Sequence, residues 1–130
     1  MAIAEGKIFQ FDEPDQIRTD FLESFPYEGA TQNIVYETTE FSCVCPFSGL
    51  PDFGTLVITY IPDEHCVELK SLKYYLVSWR NIGIYQEAAT NRLFQDLNAC
   101  LKPKELVIKT IYNTRGGIDS TCEIKLSEQE

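Results

Sequence analysis

Hydrophobic and polar positions along the chain follow two periods, and the switch between them divides the sequence. From Gln32 to Phe41 the content is β-branched and aromatic (Gln-Asn-Ile-Val-Tyr-Glu-Thr-Thr-Glu-Phe), which favours a strand. A turn-rich loop of about a dozen residues follows, punctuated by Pro46, Gly49 and Pro51. Gly54 to Ile61 is nearly apolar throughout and reads as a strand buried on both faces. After the turn at Pro62-Asp63-Glu64 and a short extended piece, Val67 to Leu69, the period changes. Leu69, Leu72, Leu76 and Trp79 recur at three- and four-residue steps, which predicts an amphipathic helix over 70–81, broken by Asn81-Ile82-Gly83. A second helix is predicted from about Tyr85 to Leu101, with Tyr85, Ala89, Leu93, Leu97 and Cys100 on one stripe and Pro103 as its stop. Leu106 to Tyr112 returns to strand, and Asn113 to Gly117 is a turn whose Gly-Gly pair suits positive φ. Ile118 to Leu126 then alternates Ile118, Ser120, Cys122, Ile124 and Leu126 against Asp119, Thr121, Glu123 and Lys125.

The order is β-β-α-α-β-β, an α+β domain. Without a β-α-β crossover both strand pairs can be hairpins of one antiparallel sheet, with the two helices on one face. Such a sheet leaves edges and a second face open, so the chain is expected to assemble into an oligomer. Residues 1–30, polar and broken by Pro14, Pro26 and Gly29, read as an N-terminal arm with a helical turn or two between Asp15 and Phe25. Residues 31–130 form the single domain, ending in a polar tail from Ser127.

Composition narrows the partners more than the fold. With 130 residues, 44% hydrophobic and 12% aromatic, the chain has the make-up of one folded domain. A net charge of −9 speaks against direct binding to nucleic acid or to anionic lipid, although a local basic cluster could still hold a small anion. No run of 18 apolar residues is present and the N-terminus lacks a basic and apolar leader, so the expected location is cytoplasmic, with no membrane span. The five cysteines are odd in number and irregularly spaced, which does not make a disulfide framework. One histidine and no C-x-x-C pair leave too few ligands for zinc, so no metal is expected.

The candidate chemistry starts in the loop. Cys45 and Asp52 are seven residues apart, at most about 25 Å even if extended, and the prolines and glycine between them favour a reversal. A thiol and an acid can therefore face one pocket. Cys45 is either a small buried hydrophobe or a nucleophile that needs its thiolate form. Asp52 is either a turn residue or a proton donor or acceptor. Cys43 is assigned to the opposite face, toward the core, and Cys66, Cys100 and Cys122 to packing. Lys70 and Lys73 share a helix face. With Arg115 they are either solvated surface or the best anion site in an acidic chain, suited to a nucleotide phosphate. Glu68 and Glu87 are either solubilising or able to pair with the two-donor edge of a guanine-like ring.

Several stretches together resemble the short, single-domain NADPH-dependent 7-cyano-7-deazaguanine reductases. They are Cys45-Pro-Phe-Ser-Gly-Leu-Pro-Asp52-Phe, Tyr60-Ile-Pro-Asp63, Glu68-Leu-Lys-Ser-Leu-Lys73-Tyr-Tyr, Trp79-Arg-Asn81 and Thr114-Arg-Gly-Gly117. The resemblance implies the tunnelling fold (T-fold) and a ring-shaped homo-oligomer, often two stacked pentamers, with sites between subunits. It implies reduction of a nitrile to a primary amine at the expense of two NADPH, in the queuosine pathway of tRNA modification, on a small-molecule deazaguanine. By the same resemblance Cys45 is the nucleophile that forms a covalent thioimide and Asp52 the proton donor. Val67, Glu68 and Leu69, with Gln86 and Glu87, are expected at the substrate, and Lys70, Ser71, Lys73 and Arg115 at NADPH. Gln86 stands where family members commonly carry histidine. Glutamine hydrogen-bonds but accepts no proton near neutral pH, so this position is read as holding substrate. The alternatives are an amidinotransferase-like T-fold enzyme acting on the same nitrile in tRNA, a non-catalytic T-fold module, and a cyclohydrolase-type pterin enzyme. The Glu68–Lys73 signature speaks against the first, and the single histidine against the last.

Overall fold

A computed structural model describes residues 2–126. Its strands and helices are β1 (Ser24–Pro26), β2 (Ile34–Val44), β3 (Pro51–Ile61), β4 (His65–Val67), α1 (Leu69–Val77), α2 (Gln86–Leu101), β5 (Glu105–Arg115) and β6 (Ile118–Lys125). The main sheet is antiparallel in the order β2-β3-β5-β6, and β1 pairs with β4 in a small second sheet. The architecture is the T-fold, an α+β domain in which both helices lie on one face. Among the described residues no helix is long and apolar enough to cross a membrane.

The core forms between that face and the helices. Leu56, Ile58 and Tyr60 of β3, Leu106 and Ile108 of β5, and Leu93, Leu97 and Leu101 of α2 are all at most 2% exposed. Each is an alternate residue on its strand, or a third or fourth on its helix, as the two periods require. The opposite face of β3 is only half-covered, because Thr55, Val57 and Thr59 are partly exposed. The expectation of burial on both faces therefore fails within the single chain. On α1 the buried set is Ser71, Leu72 and Tyr75, joined by Trp79 just beyond its end, with Leu69 left 42% exposed. The helix itself ends at Val77 rather than at residue 81. On α2 Leu101 takes the buried place expected of Cys100, and Tyr85 precedes the helix and is exposed.

Two β-bulges reshape one end of the sheet. The register passes from Thr38↔Leu56 to Phe41↔Gly54, so β2 carries one extra residue there. The inward set changes parity at that point, from Ile34 and Tyr36 to Phe41 and Cys43. β5 does the same between Tyr112↔Ser120 and Arg115↔Ile118. A bulge bends a strand and re-aims the side chains beyond it. With its bulge, β2 runs on to Val44 and β3 begins at Pro51, so the loop between them is residues 45–50 and not a dozen residues.

The N-terminal segment is tied down at several points. Ile17 is 5% exposed and belongs to the core, and short 3-10 turns occupy Pro14–Gln16 and Thr19–Phe21. Asp12 pairs with Ile82, which places the segment beside the turn that also meets Val44. The tail from Ser127 lies outside the described residues.

Candidate active site

Because β2 stops at Val44, Cys45 leaves the ladder and opens the short loop. Its N–H donates to the Leu50 carbonyl (2.9 Å), and its carbonyl accepts from the N–H groups of Gly49 (2.7 Å) and Ser48 (3.3 Å). Gly49 has φ +77°, and a Cβ there would lie 2.5 Å from the Phe9 carbonyl oxygen. Only glycine satisfies both demands, so the arm crosses directly over the loop. Val44 is anchored from the other side: its N–H donates to the Ile82 carbonyl (2.8 Å) and its carbonyl accepts from Ile84 (3.0 Å). Cys45 is half-buried at the mouth of this assembly.

Asp52 is not a loop residue. It is the second residue of β3, 7% exposed, and stands opposite Cys43 in the ladder. Its carboxylate forms an ion pair with Arg115, whose guanidinium also donates to the Pro51 carbonyl (3.3 Å). The β5 bulge makes that pair: without it, Arg115 would have the outward parity of Ile111. Cys43 is fully buried, and burial, reinforced by the neighbouring Asp52 and Cys45, pushes its thiol up to about 12. It stays protonated and packs. Its place in the core has a different origin from the one expected, since residues 43 and 45 have the same parity and it is the strand end that separates them. Tyr112 completes the floor. Burial, with Cys43 nearby, pushes its phenol up, and its hydroxyl has no hydrogen-bond partner among the described residues.

Gln86 and Glu87 begin α2 at the same end. The Gln86 carbonyl accepts from Thr90 Oγ1 (2.9 Å), itself 2.7 Å from Thr110 Oγ1 on β5. The Gln86 side-chain Oε1 accepts from Ser120 Oγ on β6 (2.6 Å). Glu87 is exposed on the first turn, where the helix dipole favours a carboxylate.

The remaining predicted residues gather around the start of α1. Glu68 is the N-cap of α1, and its carboxylate accepts from the N–H groups of Ser71 (2.7 Å) and Lys70 (3.2 Å). Ser71 Oγ donates to the Glu68 carbonyl (2.7 Å) and accepts from Glu23 N–H (3.1 Å), which fastens the arm to the helix. Val67 is 2% exposed and gives its N–H to the Tyr60 hydroxyl (3.1 Å). The Lys70 ammonium lies 5.6 Å from the Tyr74 ring centre. Lys73 lines a groove of about 640 Å³ between α1 and β2, together with Leu69, Val77, Val35 and Arg80. Neither lysine nor Arg80 forms a salt bridge among the described residues. Arg80 had no periodic or motif signal of its own beyond Trp79-Arg-Asn81.

The chain thus sorts its predicted site residues into two groups. Cys45, Asp52, Gln86, Glu87 and Arg115 lie at the bulged end of the sheet, and Val67, Glu68, Leu69, Lys70 and Ser71 at the other, with Lys73 between. β3 from Asp52 to Ile61 is roughly 30 Å long at the usual rise per residue, and the two groups lie toward its opposite ends, with Leu69 and Lys73 reaching the groove beside Leu56. Arg115 is engaged with Asp52 and is not brought together with the two lysines within the chain.

The profile of the QueF-like protein family matches residues 51–130. The NADPH-dependent 7-cyano-7-deazaguanine reductase of Thermotoga petrophila is 55% identical over 125 residues, covering 95% of this chain and 91% of the relative. The chain belongs to the QueF-like protein family. A reductase of the same name from Caldicellulosiruptor bescii is 51% identical over 108 residues, 82% of each chain. That from Pelodictyon phaeoclathratiforme is 47% identical over 116 residues, 86% of this chain and 98% of the relative. Among solved structures, the apo form of the archaeosine synthase QueF-Like superposes with a TM-score of 0.65, covering 76% of this chain and 95% of that one. At 17% identity that likeness shows the shared fold. The QueF-like assignment agrees with the resemblance carried by the Cys45–Asp52 and Glu68–Lys73 stretches.

Proposed function

We propose that this chain is an NADPH-dependent 7-cyano-7-deazaguanine reductase, converting the nitrile of the free base to the aminomethyl group. The observation that carries the assignment is the half-buried loop thiol of Cys45, two residues on from the pairing of Cys43 with Asp52, a buried carboxylate held by Arg115. The names and identities of the bacterial relatives support the same activity. The five free cysteines suit the cytoplasm, a reducing compartment, and the net charge of −9 suits a free base rather than tRNA as the species bound.

The chemistry follows from the residues. A nitrile carbon is weakly electrophilic, and a thiolate adds to it to give a thioimide, whose C=N is more easily reduced. Asp52 takes the Cys45 thiol proton and delivers it to the nitrile nitrogen, so the C–S and N–H bonds form as the S–H bond breaks. No net proton is needed at this stage. Arg115 keeps the carboxylate in position, while Cys43, held protonated, does not compete as a nucleophile. Glu87 offers a carboxylate to the two-donor edge of the base.

Lys70, Lys73 and Arg80 fit an anionic cofactor, because Lys73 and Arg80 line the groove beside α1, Lys70 lies on the same helix, and none of the three forms a salt bridge among the described residues. They would hold the phosphates of NADPH, which when bound would supply the two hydrides that separate a nitrile from a primary amine. Ser71 supports them by fixing the first turn of α1.

Since the two groups of residues lie toward opposite ends of β3, a strand roughly 30 Å long, a complete site is read as taking its two halves from different copies. The unpaired outer edges of β2 and β6 and the exposed Phe47, Phe53, Leu69 and Val77 provide the surface for a ring-forming homo-oligomer, read as two stacked pentamers. The domain proper begins near residue 31, with residues 1–30 as a fastened arm. The deciding experiment is an intact-mass spectrum after mixing with the cyano-deazaguanine. Wild type gains the mass of the base and then oxidises two NADPH per substrate, whereas Cys45→Ala does neither. A wild-type spectrum without the adduct removes the thioimide assignment.

A further inference from the structure

Gln86 is the one proposed substrate contact whose side chain is already engaged by another residue at the thiol end. Its backbone and side chain are held separately. Thr90 binds its carbonyl and is in turn linked to Thr110 of β5, with both threonines 1% exposed, so the first turn of α2 cannot slide on the sheet. The side chain is then fixed by Ser120, whose Oγ–H donates to Oε1 at 2.6 Å. Ser120 faces the helices because it is opposite Tyr112 in the ladder, and it is the polar member of an otherwise apolar inward row. With Oε1 occupied, the other half of the amide is Nε2, which makes no hydrogen bond among the described residues. An amide held in this way has its Nε2 donors fixed in direction and free for a ligand.

We infer that Ser120 is a positioning residue of the reductase site: it orients Gln86 so that the amide N–H groups donate to an acceptor on the deazaguanine, its ring carbonyl or its nitrile nitrogen. This rests on the reductase reading above and adds to it a residue and a direction. A neutral donor at residue 86 binds and aligns the base and moves no proton, so proton delivery falls to Asp52 alone. Without the Ser120 hydroxyl the amide rotates freely, and the donor is correctly placed only part of the time. A hydrogen bond of this kind contributes about 0.5–1.5 kcal/mol, so its loss is expected to raise KM for the base by roughly 2- to 13-fold.

The test is a double-mutant cycle in the full-length protein, with KM and kcat for the base measured at saturating NADPH. Ser120→Ala should raise KM several-fold with little change in kcat, and Ser120→Thr, which keeps the hydroxyl, should restore most of the loss. Gln86→Ala should raise KM at least as much, and adding Ser120→Ala to it should cost nothing further. Gln86→Glu keeps an acceptor for Ser120 but loses the donor, and should bind the base as poorly as Gln86→Ala. Thermal melting of Ser120→Ala should match wild type. An unchanged KM in Ser120→Ala, or an equal penalty with and without Gln86, would overturn the inference while leaving the reductase intact. A wild type that neither binds nor reduces the base would overturn the functional reading, and this inference with it.

Discussion

The two ends of β3 carry different kinds of polar residue. At the Asp52 end the polar side chains interact with one another across the sheet: Asp52 with Arg115, Gln86 with Ser120, each partner coming from a different hairpin or helix. At the Ile61 end they serve the backbone nearby. Glu68 caps its own helix and Ser71 fastens that helix to the arm, leaving Lys70 and Lys73 as cations without acidic partners. In the proposed function the first end carries the chemistry on the small molecule, which requires exact mutual placement. The second is a rigid mount for exposed positive charge. The proposed site needs both, and the strand between them is roughly 30 Å long, which is the reason it is proposed to form between copies.

The hardest test of that comparison is complementation. Asp52→Asn alone, and Lys70→Ala with Lys73→Ala in another chain, should each be nearly inactive at limiting NADPH. If the proposed site between copies is right, protein reassembled from a mixture of the two should regain measurable nitrile reduction, because some interfaces receive both intact halves. A mixture no better than its parts would place the whole site within one chain. Taken singly, Asp52→Asn removes proton transfer and should lower kcat by about 100-fold or more, read from NADPH oxidation. The double lysine variant should instead raise KM for NADPH by about tenfold, as expected for charge-assisted contacts, with kcat preserved. Glu68→Ala should lose about 1 kcal/mol of stability through its cap, measured by urea denaturation.

The smallest effect concerns pH. The Cys43 thiol rises from its ordinary value of 9.0 to about 12 in the folded chain, through burial first and its charged neighbours second. The unfolded chain therefore loses this proton at lower pH than the folded one, so it binds fewer protons as pH rises. The stability tied to the neutral thiol is complete below about pH 9 and declines toward 12. Tyr75 and Tyr112, raised by burial, act in the same direction at higher pH. The melting temperature should fall by a few degrees between pH 8 and pH 10, and Cys43→Ala should flatten that slope.

Much of this molecule was legible in its residues. The switch from alternation to three- and four-residue steps located both helices, and Gly116 and Gly117 take up the positive φ that their turn asked for. The motif around Cys45 and Asp52 led to the family. Tyr75 has the helical spacing, three residues after Leu72 and four before Trp79, but the more apolar Leu76 beside it took its place in the expected stripe; Tyr75 is fully buried with its hydroxyl on Asp96 (2.6 Å). Ser120 did leave a trace, as a lone hydroxyl in an apolar row. Nothing local could say that Glu68 would spend its carboxylate on a helix end.

The sequence by itself determined the order of the four long strands and two helices and much of their apolar faces, and it singled out Cys45 and Asp52 as candidates, because these depend on side-chain period and residue chemistry. Tertiary structure decided where the pair points. Two bulges, each a single extra residue visible only when strands are paired, changed the parity of β2 and β5 near one end. They buried Cys43, set Asp52 inside a strand, turned Arg115 onto it and left Cys45 at the strand's end. Register is a property of two strands at once, and no single strand encodes it.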